Sequence, residues 1–186
     1  MAYKLSIFWF RRDLRLHDNH GFFQSLTQSE SVLPIFIFDP HILGKLSNDD
    51  RRVSLLMDRL NSLNKQLEKI GKKIHIMYGN PKDVIEEISE RISAQALYAN
   101  TDYEPYATKR DKIVKQLLSK KNIKFYSFKD QVIFEKNEIL TNTEKPYSIY
   151  TPYMKKWMSK FKISLTKPYL SQDFLHNALS TIRCNA

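Results

Sequence analysis

The chain has 186 residues, enough for one α/β domain with a substantial core plus a tail, and its 42% hydrophobic and 27% charged residues describe an ordinary folded protein. A single cysteine, Cys184, excludes an intramolecular disulfide and a cysteine-rich zinc site; no signal-peptide pattern and no run of membrane-spanning length is present, so a cytoplasmic protein is expected. The net charge of +10 permits a polyanionic partner such as nucleic acid, and six of those charges accrue from Lys145 onward, which makes the tail the basic part.

The first element is the strand ending in Ile7-Phe8-Trp9-Phe10, which runs straight into Arg11-Arg12-Asp13-Leu14-Arg15-Leu16-His17-Asp18-Asn19. A fully apolar run suits a strand covered on both faces. Charge gathered where it stops lies at a carboxyl end, where open α/β sheets place ligands. Asp18 or Asn19 can cap a helix carrying Phe22, Phe23 and Leu26. Val32 to Phe38 reads as a second buried strand, closed by Asp39-Pro40. Ser47, Asn48 or Asp49 then caps a helix on which Val53, Leu56, Leu60, Leu63, Leu67 and Ile70 recur at steps of three and four, with Gly71 as its stop. Ile74 to Tyr78 is a third strand. Pro81 starts a helix with a stripe of Val84, Ile85, Ile88 and Ile92.

Ala96 to Ala99 is a short fourth strand ending in Asn100-Thr101-Asp102-Tyr103-Glu104-Pro105-Tyr106, a second polar cluster equivalent to the first. A helix through Ile113, Val114, Leu117 and Leu118 leads to a fifth strand, Ile123 to Phe128. This alternation predicts an α/β fold with a five-stranded, doubly wound parallel sheet over residues 3–130. From 131 to 186 the alternation breaks down into an irregular extension, with a helix expected over Thr151 to Phe161.

Four glycines leave no room for a Gly-x-Gly-x-x-Gly or Walker sequence, so a nicotinamide dehydrogenase or P-loop enzyme is not expected. His17 and His20 lack partners at metal-site spacing and read as cap, core or surface residues. In a Rossmann-like sheet the first and fourth strands are neighbours at the switch point. Arg11, Arg12 and Asp13 would then face Asn100, Asp102 and Glu104, with Asp39 beside them. Two readings fit: a ligand crevice, or an internal salt-bridge network closing the top of the sheet.

The stretch Phe8 to Asn19 resembles the opening signature of the DNA photolyase/cryptochrome family. Arg51-Arg52-Val53-Ser54-Leu55-Leu56 resembles the start of its long helix, and Tyr98 to Tyr106 followed by Arg110-Asp111 resembles its pattern after the fourth strand. Pro146-Tyr147-Ser148-Ile149-Tyr150-Thr151-Pro152-Tyr153, then Trp157, is similar to the segment leading out of its N-terminal domain. Together these cover about residues 4–160.

The resemblance implies the antenna half of a deoxyribodipyrimidine photolyase-like protein, a Rossmann-like domain that binds a light-harvesting pigment, often a folate or a deazaflavin. FAD, the DNA pocket and a tryptophan chain belong to a larger helical half, before which this sequence stops. Trp9 and Trp157 are too few for such a tryptophan chain, and without that half the chain by itself is expected to be inactive as a lyase. Folate-type members carry an Asn-Glu pair just before Arg-Asp, where this chain has Tyr106 and Ala107. That favours a deazaflavin or flavin over a folate, or no pigment. The expected contacts are Arg11, Phe38, Asp39, Arg51, Asn100, Asp102 and Glu104, over the ends of strands one, two and four. Tyr150, Tyr153, Trp157 and Phe161 would pack on a flavin-binding helical domain, made separately if need be, or drive self-association. The tail lysines would hold DNA weakly and without sequence preference. The competing readings are a freestanding nucleotide- or flavin-binding module without light chemistry, and a remnant that binds nothing.

Overall fold

The computed structural model describes residues 3–47, 49–135 and 137–180. Five parallel strands lie in the order β3-β2-β1-β4-β5: β1 Tyr3–Phe10, β2 Ser29–Phe38, β3 His75–Tyr78, β4 Ala96–Asn100 and β5 Lys124–Phe128. This is the expected doubly wound α/β sheet, with β1 and β4 adjacent at the switch point. The central strand alternates between two cores, which is why its sequence shows no polar side. Phe8 and Phe10 pack with Phe22 and Leu26 of α1 (His20–Gln28) and with Leu60, Leu63 and Leu67 of α3 (Arg51–Glu68). Ile7 and Trp9 pack with Ile85 and Ile88 of α4 (Pro81–Arg91) and with Val114 and Leu118 of α5 (Pro105–Lys120). A four-residue helix, α2 (Pro40–Leu43), follows β2.

Several boundaries differ from the sequence expectation. β2 begins at Ser29, directly after α1, because the buried Ser29 and Ser6 hydroxyls bond each other at 2.7 Å and so tolerate a dry interior. Asp50 caps α3, accepting from the Arg52 amide, in place of Ser47 or Asp49, and Asn48 lies outside the described residues. Ile70 falls past the end of α3 and is exposed, as is Ile113 on α5. Gly71 follows at φ +69, a left-handed turn that suits glycine. Cys184 also lies outside the described residues.

The loop from β1 to α1 is fixed by a buried polar cluster. Asn19 caps α1 through the Phe22 amide, and Asn100 at the end of β4 accepts from the Gly21 amide at 2.8 Å. The Asn100 amide group donates to Asp13 and to Asn19 Oδ1, and Asp13 also accepts from the Arg11 amide. Burial pushes the Asp13 carboxyl up, against these hydrogen bonds. A Cβ on Gly21 would meet Asn100 Oδ1 at 2.5 Å, so α1 sits against β4 at a distance only glycine allows.

The extension contains α6 (Tyr150–Lys160) and two 3-10 turns, Ile163–Thr166 and Ser171–Asn177. It returns to the sheet by isolated backbone and side-chain bonds that leave no sequence period. Asp18 and Tyr169 exchange two hydrogen bonds of 2.9 Å, Ser171 donates to the Leu16 carbonyl, and the Leu179 amide donates to Val32 on the free edge of β2. No helix among the described residues is long and apolar enough to cross a membrane.

Asn100→Leu strands an amide, a carboxylate and a cap in the interior and is expected to cost ~2–4 kcal/mol in urea unfolding. Gly21→Ala, by forcing α1 off β4, is expected to cost ~1–3 kcal/mol. A pH effect follows from His75 on edge strand β3, whose Nε2 is buried without a hydrogen-bond partner. Burial, then Lys73, lowers its pKa from 6.5 to about 4. The contribution is complete above pH 6.5 and is lost as pH falls through about 4. His75→Leu should remove that part of the acid destabilisation, measured as urea midpoints between pH 7 and about 4.

Candidate functional site

The carboxyl ends of β1 and β2 open into a cleft of about 530 Å³, roofed by α2, the start of α3 and the β4–α5 loop. Phe38, Ile42, Leu43, Leu46 and Leu56 supply its apolar wall. Charge converges on the opposite side, from Arg11, Arg12, Asp102, Glu104 and Arg110. That mixture, an apolar slot with a few polar groups, is the usual make-up of a small-molecule site.

Trp9 floors the cleft beneath two guanidinium groups, Arg11 at 4.1 Å and Arg110 at 4.6 Å from its ring centroid. Both arginines share one carboxylate: Arg11 Nη1 donates to Asp111 Oδ2 at 2.7 Å, and Arg110 Nη2 to Asp111 Oδ1 at 3.1 Å. Burial pulls the Arg11 pKa below its ordinary value, with Asp111 opposing, yet a guanidinium remains charged. Arg11 also donates to the Asn100 carbonyl, while its Nε and Nη2 are buried with no protein partner. Such orphaned donors on a cleft wall suit an acceptor carried by a ligand.

Asp39 caps α2 through the His41 amide at 2.9 Å and also accepts from the Tyr106 hydroxyl. Burial and that carboxylate push the Tyr106 pKa up to about 12, so the phenol stays a neutral donor. His41 stacks on the Tyr106 ring at 4.4 Å, and its Nε2 lies 3.0 Å from Lys45 Nζ. At the mouth, exposed Arg12 lies 3.7 Å from Asp102 and 3.4 Å from Glu104. Arg52 pairs with Asp50, which its guanidinium holds well below the usual carboxylate range.

Of the residues expected to form the site, Arg11, Phe38, Asp39, Asp102 and Glu104 come together on the lining. Two do not. The Asn100 side chain is spent on the cluster under α1, and α3 turns Arg52 rather than Arg51 toward the cleft. An open cleft and a buried hydrogen-bond network lie side by side: Asp13, Asn19 and Asn100 form the network, and Arg12, paired with Asp102 and Glu104, borders the cleft. The lining residues outside the expected contacts include Trp9, His41, Leu56, Tyr106, Ala107 and Arg110. The last three lie at i, i+1 and i+4 on the first turns of α5, one helical face beside the loop, a spacing that was open to reading.

A second cavity, also about 530 Å³, lies between Arg15, His20, Lys129 and the returning tail at Tyr169. Two of its cations are already paired, Arg15 with Asp130 at 2.7 Å and Lys129 with Glu138 at 2.7 Å. Among the described residues, no group of three or more His, Cys, Asp or Glu could hold a metal ion.

The family model described as DNA photolyase matches residues 6–171. A deoxyribodipyrimidine photo-lyase of Synechococcus sp. strain PCC 6301 is 33% identical over 156 residues, which is 84% of this chain and 32% of that protein. An uncharacterized 31.6 kDa protein of Synechococcus sp. strain PCC 6716 is 32% identical over 168 residues, 90% of this chain and 59% of that protein. Among solved structures, an archaeal photolyase from Sulfolobus tokodaii with two FAD molecules, described as implying a novel light-harvesting cofactor, superposes with a TM-score of 0.69 at 26% identity. That superposition covers 85% of this chain and 35% of the archaeal one. The chain thus spans about a third of the length of the photolyases it matches. The signature running from Phe8 to Asn19, the strand order and the matched span have one explanation: this chain belongs to the DNA photolyase family and corresponds to its N-terminal α/β domain.

Proposed function

We propose that this domain holds a planar pigment of the flavin or deazaflavin type and serves as the light-harvesting part of a photolyase-type DNA-repair protein. The observation that carries the reading is the cleft at the switch point: an apolar slot of about 530 Å³ whose wall holds two buried arginine donors without protein partners. The residues fit such a group. Phe38, Ile42 and Leu56 offer an apolar face for a ring system, and Arg11 and Arg110 offer donors to ring carbonyls. Asp102 and Glu104 can accept from ring N–H or hydroxyl groups. Asp39 is a positioning residue, since its carboxylate already holds α2 and Tyr106. The light-harvesting cofactor of the Sulfolobus tokodaii photolyase supports the same class of ligand. Tyr106 and Ala107 on the lining, in place of an Asn-Glu pair, favour a flavin-type ring over a folate.

A bound pigment would absorb light and pass the excitation to an acceptor elsewhere. The protein's part is to exclude water with the apolar wall and to fix the ring's polar edge with the charged one. Equilibrium titration with FMN, FAD, an 8-hydroxy-5-deazaflavin and a methenyl folate, followed by ligand fluorescence, tests the assignment. Binding of at least one flavin-type ring is expected, with the folate weaker. Asp102→Asn and Arg52→Ala should each weaken it about tenfold, a loss of ~1.4 kcal/mol, and Arg51→Ala should leave it unchanged. Silence with all four ligands would remove the proposal. So would binding indifferent to both lining substitutions.

The chain alone is expected not to split pyrimidine dimers. That reaction needs a redox cofactor beside a lesion drawn out of the duplex, and the cleft proposed for the pigment does not provide both. Illumination with reduced flavin and dimer-containing DNA should restore no more thymine than flavin does by itself.

A further inference from the structure

Four cation–ring contacts border the cleft, and they fall on two of its rings. Over Trp9 lie the guanidinium groups of Arg11 at 4.1 Å and Arg110 at 4.6 Å. Over Tyr106 lie Arg110 at 5.8 Å and the Lys45 ammonium at 6.0 Å. The lining phenylalanines, Phe10, Phe36 and Phe38, pack on other phenylalanine rings. Indole and phenol are the side chains on this lining that give up an electron most readily, and they are the ones placed under positive charge.

Charge so placed bears on oxidation. A cation is drawn to the electron-rich face of a neutral ring, and removing an electron from that ring turns attraction into repulsion. Trp9 is 2% exposed and packs among Ile85, Ile88 and Val114, so water does little to screen the two guanidinium groups. Asp111 bonds both arginines and offsets one of their two charges. Asp13, the other carboxylate close to Arg11, bonds its backbone amide rather than its guanidinium. The balance at Trp9 is positive.

We propose that Arg11 and Arg110 keep Trp9 from being oxidised by a photo-excited ring in the cleft, so that the excitation is passed on rather than quenched. The inference rests on the pigment reading, since it concerns what happens when a ring bound there absorbs light. The step held back is a one-electron transfer. Trp9 would lose an electron and the excited ring would gain it. Its return would leave both as they began, with the excitation spent as heat; no bond forms or breaks. A ring filling a cleft of about 530 Å³ lies close to its floor, where an unprotected indole would compete with energy transfer. The sign of the charge argues against the reverse role, because an indole that serves as an electron donor is not helped by two cations over it. Arg110 and Lys45 act on Tyr106 in the same sense from farther away. Its hydroxyl already donates to Asp39, a ready proton acceptor, so Tyr106 is the less protected ring.

The test uses the full 186-residue chain carrying Trp157→Phe, in which Trp9 is the one tryptophan. Without ligand, square-wave voltammetry reads the Trp9 potential directly. Arg110→Gln should ease oxidation of Trp9 about tenfold in the equilibrium, ~59 mV for one electron, and Arg110→Lys, which keeps the charge, should move it far less. Arg11 is left intact because it also bonds the Asn100 carbonyl. With FMN at saturation, or 8-hydroxy-5-deazaflavin where FMN does not bind, time-resolved fluorescence reads the excited ring. Arg110→Gln should shorten its lifetime about threefold, half of the change in driving force reaching the barrier. Adding Trp9→Phe to Arg110→Gln should restore the lifetime, which a merely structural role for Arg110 would not produce. If circular dichroism shows that Trp9→Phe does not fold, Arg110→Lys decides in its place, by a lifetime that stays long. A Trp9 potential unmoved by Arg110→Gln, or a shifted potential with an unchanged lifetime, overturns the inference. So does a lifetime that stays short when Trp9→Phe is added. Silence with all four ligands of the titration removes the pigment reading and takes this inference with it. The ligand-free potential, which does not depend on binding, tells the two failures apart.

Discussion

Asn100 is the residue on which the architecture turns. Its one side chain bonds the start of α1, the carboxylate of the β1–α1 loop and the cap of α1. A buried amide pays for its desolvation only when every donor and acceptor finds a partner, and here they do. The consequence is that the loop after β1 has no freedom to wander. Arg11 and Arg12 leave the strand at fixed angles, one over Trp9 and one toward Asp102 and Glu104.

This divides the charged signature by depth. Asp13, Arg15, Asp18 and Asn19 face inward or toward the tail: Arg15 donates to the Asp18 carbonyl and to Asp130, and Asp18 receives the Tyr169 amide. They hold the frame. Arg11 and Arg12 face the cleft and are the ones a ligand could meet. A motif that looks in sequence like one block of charge is therefore mostly scaffold, with a short edge that faces the cleft. The same division holds on β4, where Asn100 is frame and Asp102 and Glu104, two and four residues on, are cleft.

The sheet was legible because its strands are short apolar runs bounded by Gly, Pro and Asx residues, and because helices of clear period separate them. The start of β2 was not, since Ser29, Glu30 and Ser31 lack strand character and are held there by pairing with β1. Arg52 rather than the expected Arg51 borders the cleft because one residue on a helix is a rotation of about 100°, and only the helix's placement shows which of two adjacent arginines lies on that side. Asn100 was assigned to the ligand because a polar side chain at a strand's end can turn over the crevice or under it, and the sequence carries no sign of which. The return of the tail rests on isolated bonds, from the Tyr169 and Leu179 backbone and from the Ser171 hydroxyl, which have no periodic pattern in the sequence.

The placement of the two tryptophans gives the molecule two separate optical probes. Trp9 is 2% exposed, on the cleft floor against two guanidinium groups, and Trp157 is half-buried on α6 between Phe134 and Phe161. Their indoles sense different polarities, so their emission bands fall at different wavelengths. Replacing either by phenylalanine leaves a chain whose intrinsic fluorescence reports on one location alone: events in the cleft for one variant, events along the tail helix for the other. Occupancy of the cleft can thus be followed without attaching a dye.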